Sequence, residues 1–462
     1  MEKLTYTHNA DAAAVIAQTY DTPPLAYVRS YGCQQNVNDG EKIRGVLMDI
    51  GFGVCDSVEQ ADLILFNTCA VREHAEQRVF GNVGALKKLK EKNPRLIIGV
   101  CGCMAQQKHI VDKLRASYPY VDLVFGVDGI DRLPAMLVER LHRGKRYLET
   151  PVERNAVVEE LPIRRDSGFR AWLPIMYGCD NFCTYCIVPY VRGRERSRDP
   201  QRILDEVRQL VDEGYKDITL LGQNVNSYGK DLGLDMDFAD LLKACNDIPG
   251  DFLLRFMTSH PKDATQKLFE TMAACDKVAP CLHLPVQAGN DRVLKAMNRR
   301  YTAEQYLDQI RRLRELIPDI VLTSDIIVGF PGETTEEFED TLKLIEAVRY
   351  DALFTFIYSP REGTPAAKME DVLTKEEKSA NFQRLLARQN AISAEKHAAY
   401  VGKTLRVLVD GRNDDGKHTL TARTDGGRLV HLDGGEELIG GFYSCRITGS
   451  SNWALFGEIV EA

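Results

Sequence analysis

The sequence has no apolar run long enough to cross a membrane. Its 462 residues are 44% hydrophobic and 27% charged, which is ordinary for a globular protein, and no stretch of about 18 apolar residues occurs. The first residues, MEKLTYTHNADAAAVIAQTY, also lack the basic-then-apolar pattern of a signal peptide. We therefore expect no membrane contact and a cytoplasmic location, with two to four domains.

An excess of positive charge is also absent. The net charge of −8 argues against a protein that coats nucleic acid with its whole surface. A local basic patch would still suffice for specific RNA binding.

Cysteine, by contrast, is plentiful, with 12 residues. Thiols stay reduced in the cytoplasm, so a disulfide framework is not expected. Metal ligation, catalysis and simple burial are the remaining uses.

Strand-like and helical patterns alternate over residues 25–143. Apolar runs such as LAYVRSY, DLILFN and RLIIGV are separated by helical patterns, which predicts βαβ units and a parallel, Rossmann- or flavodoxin-like sheet. Residues 144–170 are charged and patternless, and we predict a linker with little structure of its own.

Two further regions follow the predicted linker. Residues 171–398 contain six strand-like runs alternating with helical patterns, which predicts a (βα)6 part-barrel. Residues 399–462 contain five short strand patterns broken by Gly, Asp and Asn, which predicts a small antiparallel β-barrel. The fold class is therefore α/β multidomain with a terminal barrel.

Three cysteines lie within eight residues at the start of the part-barrel. Cys179, Cys183 and Cys186 form a C-x₃-C-x₂-C pattern just after its first predicted strand. Three thiolates can hold three irons of a [4Fe–4S] cluster and leave the fourth iron open to a ligand. The alternatives are a Cys₃ zinc site or a fortuitous cluster, but structural zinc normally takes four ligands.

With this loop, the chain resembles the radical S-adenosylmethionine (radical SAM) superfamily. The resemblance implies that the open iron binds S-adenosylmethionine, whose cleavage yields a 5′-deoxyadenosyl radical. It also implies cofactor contacts at positions matching family motifs: Tyr185, Gln223, Asn224, Gln287 and Asp325. The segment PVQAGND differs from the usual family pattern, since Ala288 and Asn290 replace two serines. A turn or core role is the alternative for each of these positions.

A second set of cysteines follows strands of the first region. Cys33, Cys69 and Cys103 each lie just past a predicted strand, and such strand ends meet at one edge of a parallel sheet. Cys101 and Cys55 are alternative members of this strand-end set. Cys101 lies nearer the sheet interior, so we favour Cys103. Burial is the interpretation for the remaining cysteines, Cys245, Cys275, Cys281 and Cys445.

Together the motifs YGCQQN, NTCAVREHAEQRV, GCMAQ and CDNFCTYCIVPYVRGRERSR resemble the methylthiotransferases, from about residue 25 to the end of the chain. This family has an N-terminal domain with a second [4Fe–4S] cluster, a radical SAM core and a terminal TRAM domain. The segment NTCAVREHAEQR resembles the branch that acts on isopentenylated adenosine in tRNA. The alternative branches act on threonylcarbamoyl adenosine or on a ribosomal protein aspartate.

The resemblance implies that Cys33, Cys69 and Cys103 hold the auxiliary cluster, which presents sulfur. One S-adenosylmethionine would methylate that sulfur, and a second would supply the radical that takes hydrogen from C2 of the adenine. The implied partners are a tRNA anticodon stem-loop, an electron donor such as flavodoxin or ferredoxin, and iron–sulfur assembly proteins.

Four arginines follow the cysteine loop, at positions 192, 194, 196 and 198. We predict that at least two of Arg192, Arg194, Arg196 and Arg198 contact RNA phosphates. Structural pairing with acidic neighbours is the alternative. A zinc-stabilised nucleic-acid scaffold, or a sulfur-inserting enzyme with a small substrate, would be a different function, but each leaves part of the pattern unexplained.

Overall fold

The structure is a computed structural model that describes residues 2–70, 73–149, 156–414 and 416–460. The chain divides into two compact units that alternate along the sequence. The first contains Met1–Ser167, Trp172–Asp180 and Cys186–Arg198, and the second contains Gly168–Ala171, Asn181–Tyr185 and Asp199–Ala462. The three-cysteine loop therefore contributes residues to both units.

A six-stranded parallel sheet forms the centre of the first unit. The strands of this unit are β1 (Glu2–Thr5), β2 (Leu25–Ser30), β3 (Gly53–Val54), β4 (Leu63–Thr68), β5 (Ile97–Gly102), β6 (Leu123–Phe125), β7 (Tyr147–Leu148) and β8 (Ala156–Glu159). The sheet order is β3-β2-β4-β5-β6-β7, and every adjacent pair is parallel. The chain adds β3 on one side of β2 and all later strands on the other. The strand order therefore reverses at β2, where open α/β sheets bind ligands.

Helices cover both faces of this sheet, which explains why β4 and β5 are buried at every position. The helices are α1 (Ala10–Thr19), α2 (Gln34–Asp49), α3 (Glu73–Ala85), α4 (Lys87–Lys92), α5 (Lys108–Ser117) and α6 (Leu133–Arg143), with 3₁₀ turns at Met104–Gln106 and Val127–Arg132. One core packs α1, α2 and α6 against the sheet. The other core packs α3 and α5 against the opposite face. The prediction of a parallel sheet covered by helices is confirmed.

The predicted linker, residues 144–170, is more ordered than expected in its described parts, 144–149 and 156–170; residues 150–155 lie outside the described residues. β7 extends the six-stranded sheet, and β8 pairs in parallel with β1. Ala156 and Val157 are buried, and Arg44 of α2 forms an ion pair with Asp166 at 2.6 Å. The sequence did not predict this structure, because the segment is highly charged and its pairing partners lie in other parts of the chain.

Residues 170–197 contain β9 (Arg170–Pro174), β10 (Met176–Tyr177), α7 (Val188–Arg192) and β11 (Arg196–Ser197). β10 and β11 form a two-stranded antiparallel pair, Met176 with Ser197 and Tyr177 with Arg196. This pair places Arg196 in a buried strand, which the alternating polar sequence did not predict.

The second unit contains parallel strands of the part-barrel. They are β12 (Asp217–Leu221), β13 (Leu253–Phe256), β14 (Cys281–His283), β15 (Val321–Val328) and β16 (Ala352–Ile357). β12 pairs with β13, and β15 pairs with both β14 and β16, always in parallel. The predicted strand runs are therefore confirmed.

The helices between these strands begin at clear sequence signals. They are α8 (Pro200–Asp212), α9 (Phe238–Asn246), α10 (Gln266–Ala274), α11 (Asp291–Ala296), α12 (Ala303–Leu316), α13 (Thr335–Val348) and α14 (Lys375–Ala398), with 3₁₀ turns at Val225–Ser227, Pro261–Asp263 and Pro365–Lys368. Capping boxes start α12, α13 and α14 at Thr302, Thr334 and Thr374, which satisfies backbone N–H groups at each helix start. None of the helices in the described ranges is both long and apolar enough to span a bilayer.

The C-terminal strands close into a five-stranded barrel. They are β17 (Thr404–Arg412), β18 (Leu420–Thr424), β19 (Leu429–Leu432), β20 (Phe442–Ser450) and β21 (Leu455–Ile459), with a 3₁₀ turn at Glu436–Leu438. The barrel order is β17-β18-β19-β21-β20. The small barrel is confirmed, but its strands are not all antiparallel, because β19 and β21 pair in parallel.

Candidate functional site

The first-unit cysteines follow neighbouring strands at one edge of the sheet. Cys33 lies between β2 and α2, Cys69 follows β4, and Cys103 follows β5. These strands are adjacent in the sheet, and the Cys103 N–H donates to the Thr68 carbonyl at 2.9 Å. The three residues therefore meet where the strand order reverses.

Close backbone packing brings the Cys33 and Cys69 segments together. A Cβ added at Gly32 would lie 2.5 Å from Cys69 Cβ and 3.1 Å from Cys69 Sγ, and Gly32 has φ +132°. Only glycine fits this contact. The Asn36 side chain adds two links, donating to Thr68 O at 3.1 Å and accepting from Cys33 Sγ at 3.4 Å.

A buried ion pair lies against the third cysteine. Arg192 Nε donates to Cys103 Sγ at 3.1 Å, and Arg192 Nη2 donates to Asp39 at 2.7 Å. Burial is the main reason that the pKa of Cys103 is raised to about 12; Arg192 acts to lower this pKa, and the neighbouring Cys69 and Cys33 act to raise it. A thiol with this pKa keeps its proton at neutral pH until a metal displaces it.

Removing Asp39 should destabilise the first unit, because Arg192 would remain buried without a counter-charge. We expect Asp39→Ala to lower the free energy of unfolding by about 3–5 kcal/mol, as measured by urea denaturation. Asp112→Ala is the matched control, since Asp112 pairs with Lys108 at 2.6 Å on the surface, where ion pairs contribute little to stability. Equal losses in the two variants would contradict this prediction.

The competing cysteines of the first unit lie elsewhere. Cys101 packs in the hydrophobic core with Phe125 and Leu123, whereas Cys103 packs with Ala70, Ile187 and Val191. Cys55 Sγ donates to the Ser57 carbonyl at 3.4 Å. The geometry therefore favours Cys103 over both competitors, and its role as a cluster ligand stays a prediction.

The three-cysteine loop is anchored in the first unit at Cys179. The Cys179 N–H donates to the Gly193 carbonyl at 3.2 Å. Gly178 has φ +78°, and a Cβ there would lie 1.9 Å from the Arg194 carbonyl oxygen. The glycine before the first loop cysteine is therefore required by this close approach.

The middle of the loop is anchored in the second unit by the segment after α11. Asn298 Nδ2 donates to the carbonyls of Asn181 and Phe182 at 3.2 and 3.0 Å. Thr184 N donates to Met297 O at 3.1 Å, and Thr184 Oγ1 donates to Ala296 O at 2.9 Å. These bonds fix the backbone on both sides of Cys183.

A buried arginine contacts the Cys183 thiol. Arg299 Nη1 lies 3.3 Å from Cys183 Sγ and 3.4 Å from Tyr185 Oη, and Nη2 donates to Pro285 O at 2.5 Å. Arg299 Nε donates to Tyr301 Oη at 2.9 Å. A cysteine of each trio thus accepts a hydrogen bond from a buried guanidinium.

The predicted cofactor-contacting residues belong to the second unit. Gln287 has φ +74°, and its N–H donates to Asp325 O at 2.9 Å. Asn224 is buried, and its amide donates to Asp263 at 2.8 Å. Tyr185 contacts Arg299, and Gln223 follows β12. Contact of these five residues with S-adenosylmethionine stays a prediction.

Most of the predicted RNA-contacting arginines are buried. Arg192, Arg196 and Arg198 are 5%, 3% and 7% exposed. They pair with Asp39, with Asp128 at 3.5 Å and with Glu159 at 2.8 Å. Their prediction as phosphate contacts is therefore corrected to structural pairing, because their charges are already offset inside the fold. Arg194 has an exposed side chain, paired with Asp180 at 2.6 Å.

The cysteine environments fit iron–sulfur clusters. Four of the six thiols are buried, Cys186 is half-buried and Cys33 is exposed. Guanidinium groups that donate to sulfur, and glycines that allow close backbone packing, suit a site for an anionic thiolate cluster. In the described part of the chain, no three His, Cys, Asp or Glu side chains converge on one metal-ion position. Convergence on one position is the geometry of a site for a single metal ion. In a cluster, by contrast, each thiolate binds a different iron. Sequence reasoning missed Asp39 and Arg299, since neither has a spacing signal.

Three family models match the chain. The Radical SAM superfamily model covers residues 173–345, the Uncharacterized protein family UPF0004 model covers residues 25–126, and the TRAM domain model covers residues 398–460. Radical SAM proteins use a [4Fe–4S] cluster and S-adenosylmethionine.

Solved structures with similar folds share little sequence. TsrM from Kitasatospora setae, a radical S-adenosylmethionine methyltransferase with tryptophan and a SAM analog bound, superposes with a TM-score of 0.52 at 15% identity, covering 74% of this chain and 75% of that one. The cobalamin-dependent S-adenosylmethionine radical enzyme OxsB gives a TM-score of 0.52 at 15% identity over 90% of this chain and 65% of that one. These matches support the fold alone.

Curated relatives are much closer in sequence. A tRNA-2-methylthio-N(6)-dimethylallyladenosine synthase from Thermoanaerobacter sp. (strain X514) is 52% identical over 94% of this chain and 92% of its own length. The protein of the same name from Acetivibrio thermocellus is 48% identical over 95% and 91%, and that from Clostridium beijerinckii is 49% identical over 96% and 97%. The chain belongs to the tRNA-2-methylthio-N(6)-dimethylallyladenosine synthase family.

Proposed function

We propose that this chain converts N6-(dimethylallyl)adenosine in tRNA, on the 3′ side of the anticodon, into its 2-methylthio derivative. The observation that carries the proposal is the meeting of Cys33, Cys69 and Cys103 at the reversal of strand order in a chain that also has the radical SAM loop. A radical SAM enzyme that only abstracts hydrogen needs no second trio, whereas sulfur insertion needs a site that presents sulfur.

In this proposal the two trios have different roles. Cys179, Cys183 and Cys186 hold the cluster at which S-adenosylmethionine is cleaved, and Cys33, Cys69 and Cys103 hold an auxiliary cluster. When bound, the clusters and S-adenosylmethionine supply the radical and the methylthio group, which acid–base catalysis at an unactivated C2–H bond cannot supply. Arg192 and Arg299 donate to one sulfur of each trio, at Cys103 and Cys183, and so position these two ligands.

Electrons for the first cluster come from a low-potential protein of the flavodoxin or ferredoxin class, and iron–sulfur assembly proteins load both sites. The RNA partner is the anticodon stem-loop, whose unstacked bases can leave the loop and enter a pocket. Tyr185, Gln223, Asn224, Gln287 and Asp325 orient S-adenosylmethionine in the second unit.

The C-terminal barrel offers an aromatic surface for RNA bases. The ring centroids of His418, His431 and Phe456 lie 5.5–6.1 Å from one another. The Trp453 side chain of the same barrel is 67% exposed. Residues 400–462 contain nine Asp and Glu residues against seven Lys and Arg residues. Stacking on aromatic rings suits such a composition, because it binds bases without a strongly basic surface. Of the arginine run, Arg194 has the exposed side chain needed for a phosphate contact.

Anaerobic reconstitution followed by mass spectrometry of the tRNA nucleosides tests the proposal. We expect about eight irons per chain, four for each cluster, and formation of the methylthio product with a reductant present. Colourless protein containing zinc would overturn the proposal. So would normal levels of 2-methylthio-N6-(dimethylallyl)adenosine in cells that lack the gene.

Turnover should depend on the dimethylallyl group. A stem-loop with plain adenosine should react at least about tenfold more slowly, because burying each CH₂ contributes about 0.8 kcal/mol and two such groups already give a tenfold effect. The measurement is product formation by mass spectrometry with matched stem-loops. A stem-loop with threonylcarbamoyl adenosine is the control, and preferential turnover of it would assign the chain to the other tRNA branch.

A further inference from the structure

Arg299 differs from the other buried arginines in its charge balance. Five other arginines are buried in the described part of the chain, and each pairs with a carboxylate: Arg44 with Asp166, Arg192 with Asp39, Arg196 with Asp128, Arg198 with Glu159 and Arg428 with Asp351. Arg299 is 4% exposed. Its polar contacts among the described residues are two tyrosine hydroxyls, a carbonyl and the Cys183 thiol.

A buried charge without a counter-charge is strongly unfavourable. A carbonyl and two hydroxyls offer dipoles but no negative charge, so the remaining contact, Cys183 Sγ at 3.3 Å, must supply the balance. Three thiolates outweigh the positive charge of a [4Fe–4S] core, and the bound cluster is therefore anionic. It becomes more anionic when it accepts one electron.

We infer that Arg299 is a positioning residue whose positive charge is balanced by the cluster at the Cys179, Cys183 and Cys186 loop and favours the reduced state of that cluster. One electron passes from the flavodoxin- or ferredoxin-type donor to the cluster, and Arg299 keeps its proton throughout. This inference deepens the proposed function and rests on it for the cluster at the three-cysteine loop and for the identity of the electron donor.

The same side chain also positions the loop against the strand ends. Arg299 Nη2 donates to Pro285 O at 2.5 Å, and Tyr301, which accepts from Arg299 Nε, donates to Val286 O at 2.8 Å. These carbonyls immediately precede Gln287. A neutral donor at position 299 could keep part of this network but could not supply the charge.

The first-unit trio has a similar arginine contact with a different charge balance. Arg192 contacts Cys103 in the same manner, but Asp39 offsets its charge at 2.7 Å. The charge argument therefore applies to Arg299 and not to Arg192, although both donate to sulfur. A charge effect and a hydrogen-bond effect can thus be separated by changing Arg299 alone.

The test is a redox titration of the radical SAM cluster alone, in full-length chain with Cys33→Ala, Cys69→Ala and Cys103→Ala. Electron paramagnetic resonance follows reduction by dithionite in four backgrounds: no further change, Arg299→Gln, Arg299→Lys and Arg300→Gln. We expect Arg299→Gln to lower the equilibrium constant for reduction of the cluster about tenfold, which lowers its reduction potential by about 59 mV for one electron. In Arg299→Lys this constant should stay within about threefold of the value for unchanged Arg299, since lysine keeps the positive charge. Arg300→Gln is the matched control, because Arg300 is the exposed neighbour, and it should change nothing.

Cluster loading provides a second readout. Loss of iron in Arg299→Gln with retention in Arg299→Lys would also support a role for the charge. An unchanged potential in Arg299→Gln would overturn the inference, and so would equal loss of iron in both variants, because shape alone would then explain the residue. If the unaltered chain held no auxiliary cluster or made no methylthio product, the proposed function would fail, yet this titration would still give its answer.

Discussion

Replacing Cys183 with alanine should abolish methylthiolation and cleavage of S-adenosylmethionine together. Cys183 is buried, its loop backbone is fixed by Asn298 and Thr184, and its sulfur faces Arg299. Loss of this ligand removes the proposed site of the radical source, and no acid–base group can replace it at an aromatic C–H bond. We expect product formation to fall at least about a thousandfold, on the scale of enzymatic rate enhancements.

Two measurements check this prediction. Iron content should fall from about eight to about four atoms per chain, and 5′-deoxyadenosine should no longer form from S-adenosylmethionine. Cys275→Ala is the control, because Cys275 is also buried but belongs to neither trio, and it should retain all the iron. Continued formation of 5′-deoxyadenosine in Cys183→Ala would refute the assignment of the loop.

The architecture around this site could be predicted from the sequence, because it depends on local hydrophobic patterns and on the topology of a parallel sheet. Apolar runs alternating with helical patterns predicted the parallel sheet, and the common edge of parallel strands predicted that Cys33, Cys69 and Cys103 meet. The terminal barrel followed from its short strands and turns. One of its strand pairs is parallel, β19 with β21, which alternation cannot reveal.

The environment of the site could not be predicted, because it depends on contacts between distant residues. Arg192 and Asp39 are 153 positions apart, and Arg299 and Cys183 are 116 apart. An alternating run of arginines looks like an exposed basic surface until a strand such as β11 buries it. The order of residues 156–170 could not be predicted for the same reason, since Asp166 and Glu159 pair with Arg44 and Arg198, which lie 122 and 39 positions away.

Replacing Cys103 with alanine should separate the two halves of the reaction. If Cys103 holds the auxiliary cluster, the variant should lose about four irons and form no methylthio product, with a loss of at least about a thousandfold. Its radical SAM loop is unchanged, so 5′-deoxyadenosine should still form when a reductant is present. The two variants thus differ in 5′-deoxyadenosine formation, which Cys183→Ala loses and Cys103→Ala keeps, although both lose the methylthio product and the same amount of iron.

Cys101→Ala provides a matched control two positions away. Cys101 is as buried as Cys103, but it packs in the core with Phe125, whereas Cys103 accepts a hydrogen bond from Arg192. We expect Cys101→Ala to keep both clusters and product formation, with a modest loss of stability from the lost packing. If Cys101→Ala loses iron and Cys103→Ala keeps it, the auxiliary ligand is Cys101. The buried ion pair of Arg192 and Asp39 would then support the loop without serving a cluster.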